Sequence, residues 1–340
     1  YDNSLMVSVG LLQSKVNNLY GFSANGFSGI TTGKMTGVQV AGFYSRIEGN
    51  AKGLTVSGLY NIHKASMSGV EIGGLANMNL VNQHGVQLSG VQNICMFNTD
   101  GLQSAALMNI TGQMLSGVQV AGGFNVANDM HGAQLSGIVN FTLNNGSGLQ
   151  LSGFNYATSM RGVQVGVANF ARRMKGVQLG LVNYSADSST LKIGLVSISP
   201  KTKIRPVIYY SNLATLNVGF RFMNRISYTI LGLGTPYDAP HSTSSGVFFY
   251  RLGLYKQIGR LMLSSDAGAS FISKFMDTGE KTALSAEGRV NFELALDKQV
   301  SVICSGGYSV RKFFSRKTSA DIKPIIELGI VLPNLLKSSR

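Results

Sequence analysis

Gly85-Val86-Gln87-Leu88-Ser89-Gly90-Val91-Gln92-Asn93 decides the fold, because the chain repeats it. A second clear copy is Gly176-Val177-Gln178-Leu179-Gly180-Leu181-Val182-Asn183. Gly21, Gly37, Gly53, Gly69, Gly85, Gly101 and Gly117 recur every 16 residues. Gly132, Gly148, Gly162 and Gly176 follow at steps of 15, 16, 14 and 14, and Thr190 takes the same place 14 further on. A second column holds Asn61, Asn77, Asn93, Asn109, Asn125, Asn140, Asn155, Asn169 and Asn183. Each unit alternates apolar and polar residues with period 2, which is a strand pattern. Glycine recurs too often for a helix.

Identical residues at a fixed short period suit a β-solenoid, in which equivalent positions stack about 4.8 Å apart on successive coils. The Asn column is then a structural ladder of bonded amides, and Val and Leu are expected to stack beside it as a continuous core. The Gln column, Gln87, Gln103, Gln119, Gln134, Gln150, Gln164 and Gln178, is expected on the outside as a regular polar face, either a surface for a repetitive glycan or a partner's edge strand or merely a soluble one. The alternative is one large transmembrane β-barrel over the whole chain, acting as a channel or transporter. In such a barrel strands alternate up and down, so the repeat should be two strands long. No two-unit alternation is visible.

Outward from the repeat, composition changes near Pro200. Of 42 glycines, 30 precede residue 201, whereas 19 of the 29 Lys and Arg follow residue 200. This predicts a tandem β-repeat region over 1–200 and an antiparallel outer-membrane barrel over 201–340. In Ala283–Asp297, Leu284, Ala286, Gly288, Val290, Phe292, Leu294 and Leu296 share one face, and Ser285, Glu287, Arg289, Asn291, Glu293 and Asp297 the other. That is a strand of membrane-spanning length with a lipid side and a lumen side. Seven more stretches, at 204–210, 213–223, 226–234, 247–257, 260–275, 300–312 and 322–332, make eight, with breaks around 234–236, 243–246, 277–279 and 296–298. Parity sends Arg221, Arg251, Asp266, Glu287, Arg289, Glu293, Arg311, Lys323 and Glu327 into the lumen. It sends Phe220, Phe222, Phe248, Tyr250, Phe292 and Leu294 to lipid. The overall class is therefore all-β, a solenoid-like repeat region followed by a barrel of about eight strands.

The Gly-Val-Gln-Leu-Gly-Leu-Val-Asn variants of 148–198, running into Asn217-Val218-Gly219-Phe220-Arg221-Phe222, resemble bacterial surface-repeat proteins of Bacteroidota and some spirochaetes. Members of that family join tandem repeats of this kind to a terminal barrel-like segment. The resemblance covers residue 21 to the end, and is carried more by the repeat than by the barrel. It implies an exported location in the outer membrane of a Gram-negative bacterium. It implies no established reaction, and so no catalytic residue. The start at Tyr1, without a signal peptide, fits a mature product.

Composition and spacing exclude several function classes. Only 13% of the 340 residues are charged, no apolar run reaches 18 residues, and there are two cysteines, Cys95 and Cys304. A disordered chain, a transmembrane helix and a disulfide scaffold are all ruled out. The net charge of +14 comes without any clustering of basic and aromatic residues, which argues against nucleic acid. His63, His84, His131 and His241 have no metal-ligand spacing and are expected at the surface. Gly29-Ile30-Thr31-Thr32-Gly33-Lys34 lacks the phosphate-loop spacing. Cys95, in an apolar repeat, and Cys304, on the proposed lipid face, are expected to be two isolated buried thiols and not a bond or nucleophile. No catalytic residue, metal or cofactor is expected. A hydrolase would need His241, the lone His of the second half, which sits in a Pro/Ser loop. The expected function is a non-enzymatic, barrel-anchored repeat module for structure or binding. Its expected partners are outer-membrane lipid and envelope proteins or glycans, and an accessory subunit of an envelope complex is a further reading.

Overall fold

The computed structural model describes residues 4–187, 190–236, 245–274, 282–297, 299–313 and 321–336, whose regular structure is all β. His241 and the expected break at 277–279 lie outside the described residues. The chain divides into two units, Tyr1–Leu179 and Gly180–Arg340.

The first unit is a stack of parallel coils. Early coils carry a seven-residue and a four-residue strand, as in Gln83–Ser89 and Gln92–Cys95. Coils pair in strict register, Gly85 with Gly101, Gln87 with Gln103 and Asn93 with Asn109. From Met108 onward the short strand of one coil runs into the long strand of the next, giving Met108–Ala121, Phe124–Ser136, Val139–Leu151, Phe154–Val165 and Ala168–Leu179. The parallel pairing rules out the single large barrel, whose neighbours would be antiparallel. The glycine column is structural. Gly117 has φ of 142°, and a Cβ there would lie 2.0 Å from the Gly101 carbonyl oxygen, so no side chain fits.

The sequence expectation for the two faces is reversed. Gln87, Gln103, Gln119, Gln134, Gln150, Gln164 and Gln178 are all fully buried, and Val86, Leu88, Val118, Val120, Leu149 and Leu151 point outward, part-buried or exposed. Burying amides is costly only when they lack partners, and here each finds one on the next coil. Every Gln from Gln103 to Gln178 donates its Nε2 to the Oε1 of the preceding Gln, at 2.7–3.0 Å. Gln87 donates to the buried Glu71 carboxylate at 3.2 Å. The Asn ladder runs the other way, with each Asn from Asn61 to Asn155 donating Nδ2 to the Oδ1 of the next at 2.8–3.1 Å. The two rows of amide dipoles thus oppose one another. Asn183, in the second unit, donates to Ile193 O and Gly180 O.

The apolar part of the interior is a column not anticipated from sequence. Leu19, Met35, Ala51, Met67, Leu115, Met130, Met160 and Met174 each lie two residues before a repeat Gly, and all are buried. They form two clusters. Between these the column holds Gln83 and Thr99, and Asn79 donates to Glu71 and Gln83 at 2.7 Å. His63 is fully buried rather than at the surface, because its column also contains the inward Ile47, Asn79, Cys95 and Thr111. Burial pushes its pKa down, with Glu71 partly opposing. Cys95 is buried as expected, whereas Cys304 is exposed.

The second unit opens with the strands Val182–Ser185, Leu191–Ile193 and Val196–Ile198. Lys192 stands where the Gln column would continue, 14 residues after Gln178, and it is buried. A closed antiparallel barrel follows. Its strands are β1 (Lys203–Ser211), β2 (Ala214–Met223), β3 (Ser227–Pro236) and β4 (Ser245–Ile258). They continue with β5 (Leu261–Lys274), β6 (Thr282–Ala295), β7 (Ser301–Phe313) and β8 (Asp321–Val331). They match the eight stretches read from sequence. β8 closes on β1 through Val207–Val331 and Tyr209–Gly329. At the rim where the chain enters β1, the strands are joined by two to five residues, 224–226, 259–260 and 296–300.

Two outcomes test the ladders. Asn109→Leu removes the acceptor of Asn93 and the donor to Asn125 and Val120 O. It should cost about 2–4 kcal/mol, since each orphaned buried group costs about 1–3 kcal/mol. Gly117→Ala should be worse still. Thermal unfolding of the full chain followed by circular dichroism would show both, and an unchanged midpoint for Asn109→Leu would contradict the ladder. The second outcome concerns Lys192. Burial holds its amine at about 8, below the usual 10.5. Between those values the unfolded chain keeps a proton that the folded chain has lost, so stability rises with pH across that window. Lys192→Gln, which restores the column's residue, should abolish that rise. A parallel slope in both proteins would contradict it.

Candidate functional site

The barrel lumen gathers the charges that parity assigned to it. Arg221, Arg251, Asp266, Glu287, Arg289, Glu293 and Arg311 come from β2, β4, β5, β6 and β7, and none is more than 9% exposed. Glu327, on β8, is buried among them, whereas Lys323, of the same parity, is exposed. Outward on the same strands lie Phe220, Phe248, Phe292 and Leu294, about half exposed, with Leu233, Ile326 and Leu328 more so. A lipocalin-like barrel, apolar within, is therefore excluded.

Most of the lumen charges pair with one another. Arg251 makes a two-pronged pair with Glu327, Nη1 to Oε2 at 2.9 Å and Nη2 to Oε1 at 3.0 Å. Its guanidinium also stacks over Tyr209, 4.4 Å from the ring centre. Arg289 reaches Glu287, Asp266 at 3.6 Å and Glu327 at 3.3 Å. Glu293 accepts from Arg221 and from Arg205. Tyr228 Oη and Asn291 Nδ2 each donate to Asp266 at 2.7 Å. Tyr209, Met223, Tyr228, Ile230, Phe249 and Met262 pack the remaining volume. Two cavities beside the ion pairs measure about 20 and 10 Å³. Each has room for about one water.

A larger cavity, about 450 Å³, opens at the rim where the chain enters β1. Lys201, Lys203, Arg205, Arg225 and Arg260 line it, against Glu293 and Asp297. This basic cup suits a phosphate or carboxylate. Sequence reasoning missed it because its members are scattered over about a hundred residues. They converge only through the antiparallel pairing of Lys203 with Met223 and of β4 with β5.

The segment leading into the barrel is tied to that same rim. Tyr250 Oη donates to Gly194 O at 3.0 Å, Thr229 Oγ1 to Leu195 O at 3.4 Å and Asn224 Nδ2 to Ser197 O at 3.4 Å. Thr229 and Tyr250 have the outward parity of β3 and β4, so residues 194–197 lie against the barrel's outer wall.

No family model and no curated protein matches the chain. Among solved structures, a barrel from the de novo design of transmembrane β-barrels is similar at 13% identity and a TM-score of 0.26. The alignment covers 40% of this chain and 97% of the designed one.

The bonded lumen predicts a mutational signature. Arg251→Met removes the two-pronged partner of Glu327, leaving it Arg289 at 3.3 Å, and should destabilise the barrel by about 3 kcal/mol. Adding Glu327→Gln should recover much of that loss. Urea unfolding in detergent micelles measures both, and equal stability of the single and double variants would contradict the pairing.

Proposed function

We propose that this chain is a non-enzymatic outer-membrane protein of a Gram-negative bacterium, in which the eight-strand barrel anchors a repeat module for structure or for binding an envelope partner. The observation that carries this reading is the pairing of an outward apolar band with a lumen filled by bonded ion pairs. A contiguous apolar belt on a barrel suits lipid. A lumen packed with Arg251–Glu327 and Arg289–Asp266 suits an anchor more than a conduit. By the usual asymmetry of such barrels, short turns face the periplasm, which puts the rim of 224–226 and 259–260, and the basic cup, on that side. The resemblance to surface-repeat proteins of Bacteroidota and spirochaetes supports the same location.

The Gln columns take no part in recognition, since they are buried. The surfaces left for an envelope partner are the basic cup and the outward strand faces of the coils. An accessory role in an envelope complex remains the second reading, favoured by the tethered segment 194–197 at the rim.

Planar-bilayer recording on purified full-length protein tests the anchor. The filled lumen should give no stable conductance steps, in wild type and in the Lys203→Gln/Arg260→Gln cup variant alike. Regular steps in wild type would overturn the anchor reading in favour of transport.

A further inference from the structure

The interior of the first unit holds two amide ladders beside its buried Met column, and its outward columns are apolar in nearly every coil. One column reads Phe22, Val38, Leu54, Val70, Val86, Leu102, Val118, Ala133, Leu149, Val163 and Val177. The corner after the long strand contributes Phe27, Phe43, Leu107, Ile138 and Val167, each 46–58% exposed. On the short-strand side, Ile94, Ile110, Val126, Phe141, Tyr156 and Phe170 point outward. The other corner carries the polar residues, with Lys52, His84, Asp100, Gln113 and Arg161 exposed beside Met96, Phe97, Met114 and Leu143.

Resting on the anchored reading above, we propose that the outward strand faces of the repeat unit lie in a lipid surface, with the polar corner turned to water and headgroups. Two observations select lipid over a protein partner. First, residue shape varies freely within each apolar column, from Ala to Phe, while apolarity is kept. A fluid apolar phase accepts any such side chain, whereas a protein partner demands fixed complementarity. Second, charge is complementary to anionic headgroups where the unit ends. Arg161, Arg172, Arg173 and Lys175 are exposed, and residues 133–186 contain no Asp or Glu. Apolar contact plus a basic patch is the two-signal pattern of a membrane surface binder.

The chain has no Trp, so single tryptophans report without background. Full-length protein carrying Phe124→Trp, Val120→Trp, Gln113→Trp or Phe292→Trp is reconstituted into vesicles of phosphatidylethanolamine and phosphatidylglycerol, with and without brominated acyl chains. Phe124→Trp and Val120→Trp report from the two outward strand faces, Gln113→Trp from the polar corner and Phe292→Trp from the barrel's outer wall. Brominated lipid should cut the emission of Phe124→Trp and Val120→Trp by half or more, as it should for Phe292→Trp, and leave Gln113→Trp unquenched. If Phe292→Trp is quenched while Phe124→Trp and Val120→Trp are not, the faces belong to water or a protein partner, and the lipid proposal falls while the anchor stands. An unquenched Phe292→Trp overturns the anchor itself.

Discussion

Side-chain amides that bond to one another from coil to coil are the constraint on which the rest of the structure depends. A buried amide without a partner costs about 1–3 kcal/mol, whereas a paired one is close to neutral or mildly favourable. The coil stack meets this condition by identity. Because Gln103 sits directly above Gln87, and Asn109 above Asn93, each amide has a donor on one side and an acceptor on the other. The repeat period follows from that need for register. Where the period drops from 16 to 14, one residue leaves each side of the Asn, and the ladder bonds persist at Asn155–Asn169 and Gln150–Gln164. The glycine column follows too, since the backbones at Gly101 and Gly117 approach too closely for any side chain.

The barrel solves the same problem with charge. Its lumen is held chiefly by ion pairs, two of them across non-neighbouring strands, β4 with β8 and β2 with β6. In both units bonded polar groups share the interior with an apolar cluster, and further apolar side chains face out. Such a chain gains little from water and much from an apolar surrounding. This common arrangement, more than any single pocket, underlies the reading of the protein as membrane-bound.

Much of this was legible in the sequence. The period, the parallel stacking and the eight barrel strands follow from spacing and alternation, and so does the lumen side of Arg221, Arg251, Asp266 and Glu293, because a charged side and an apolar side are unambiguous on a barrel strand. The faces of the repeat were not legible. Period 2 says that Val86 and Gln87 lie on opposite sides, but not which of the two sides is inside. The Met column was readable two residues before each Gly, but Gln83 and Thr99 interrupt it, so it does not stand out as apolar. His63 shares an inward column with Asn79, and Lys192 follows Gln178 at the repeat step of 14 residues, clues visible only once the Asn79 and Gln178 columns are known to face in. The basic cup depends on strand register at the rim, which alternation does not encode.

The central claim is that the Gln and Asn columns form the bonded interior of the coil stack. Side-chain-selective ¹⁵N labelling of Gln and Asn in the full chain, followed by transfer to D₂O and NMR of the side-chain amide protons, tests it most directly. The account predicts slowly exchanging NH₂ signals from Gln103, Gln119, Gln134, Gln150 and Gln164, and from Asn77 through Asn155, while the exposed Gln113 is lost at once. Immediate exchange of the ladder residues together with Gln113 would contradict it.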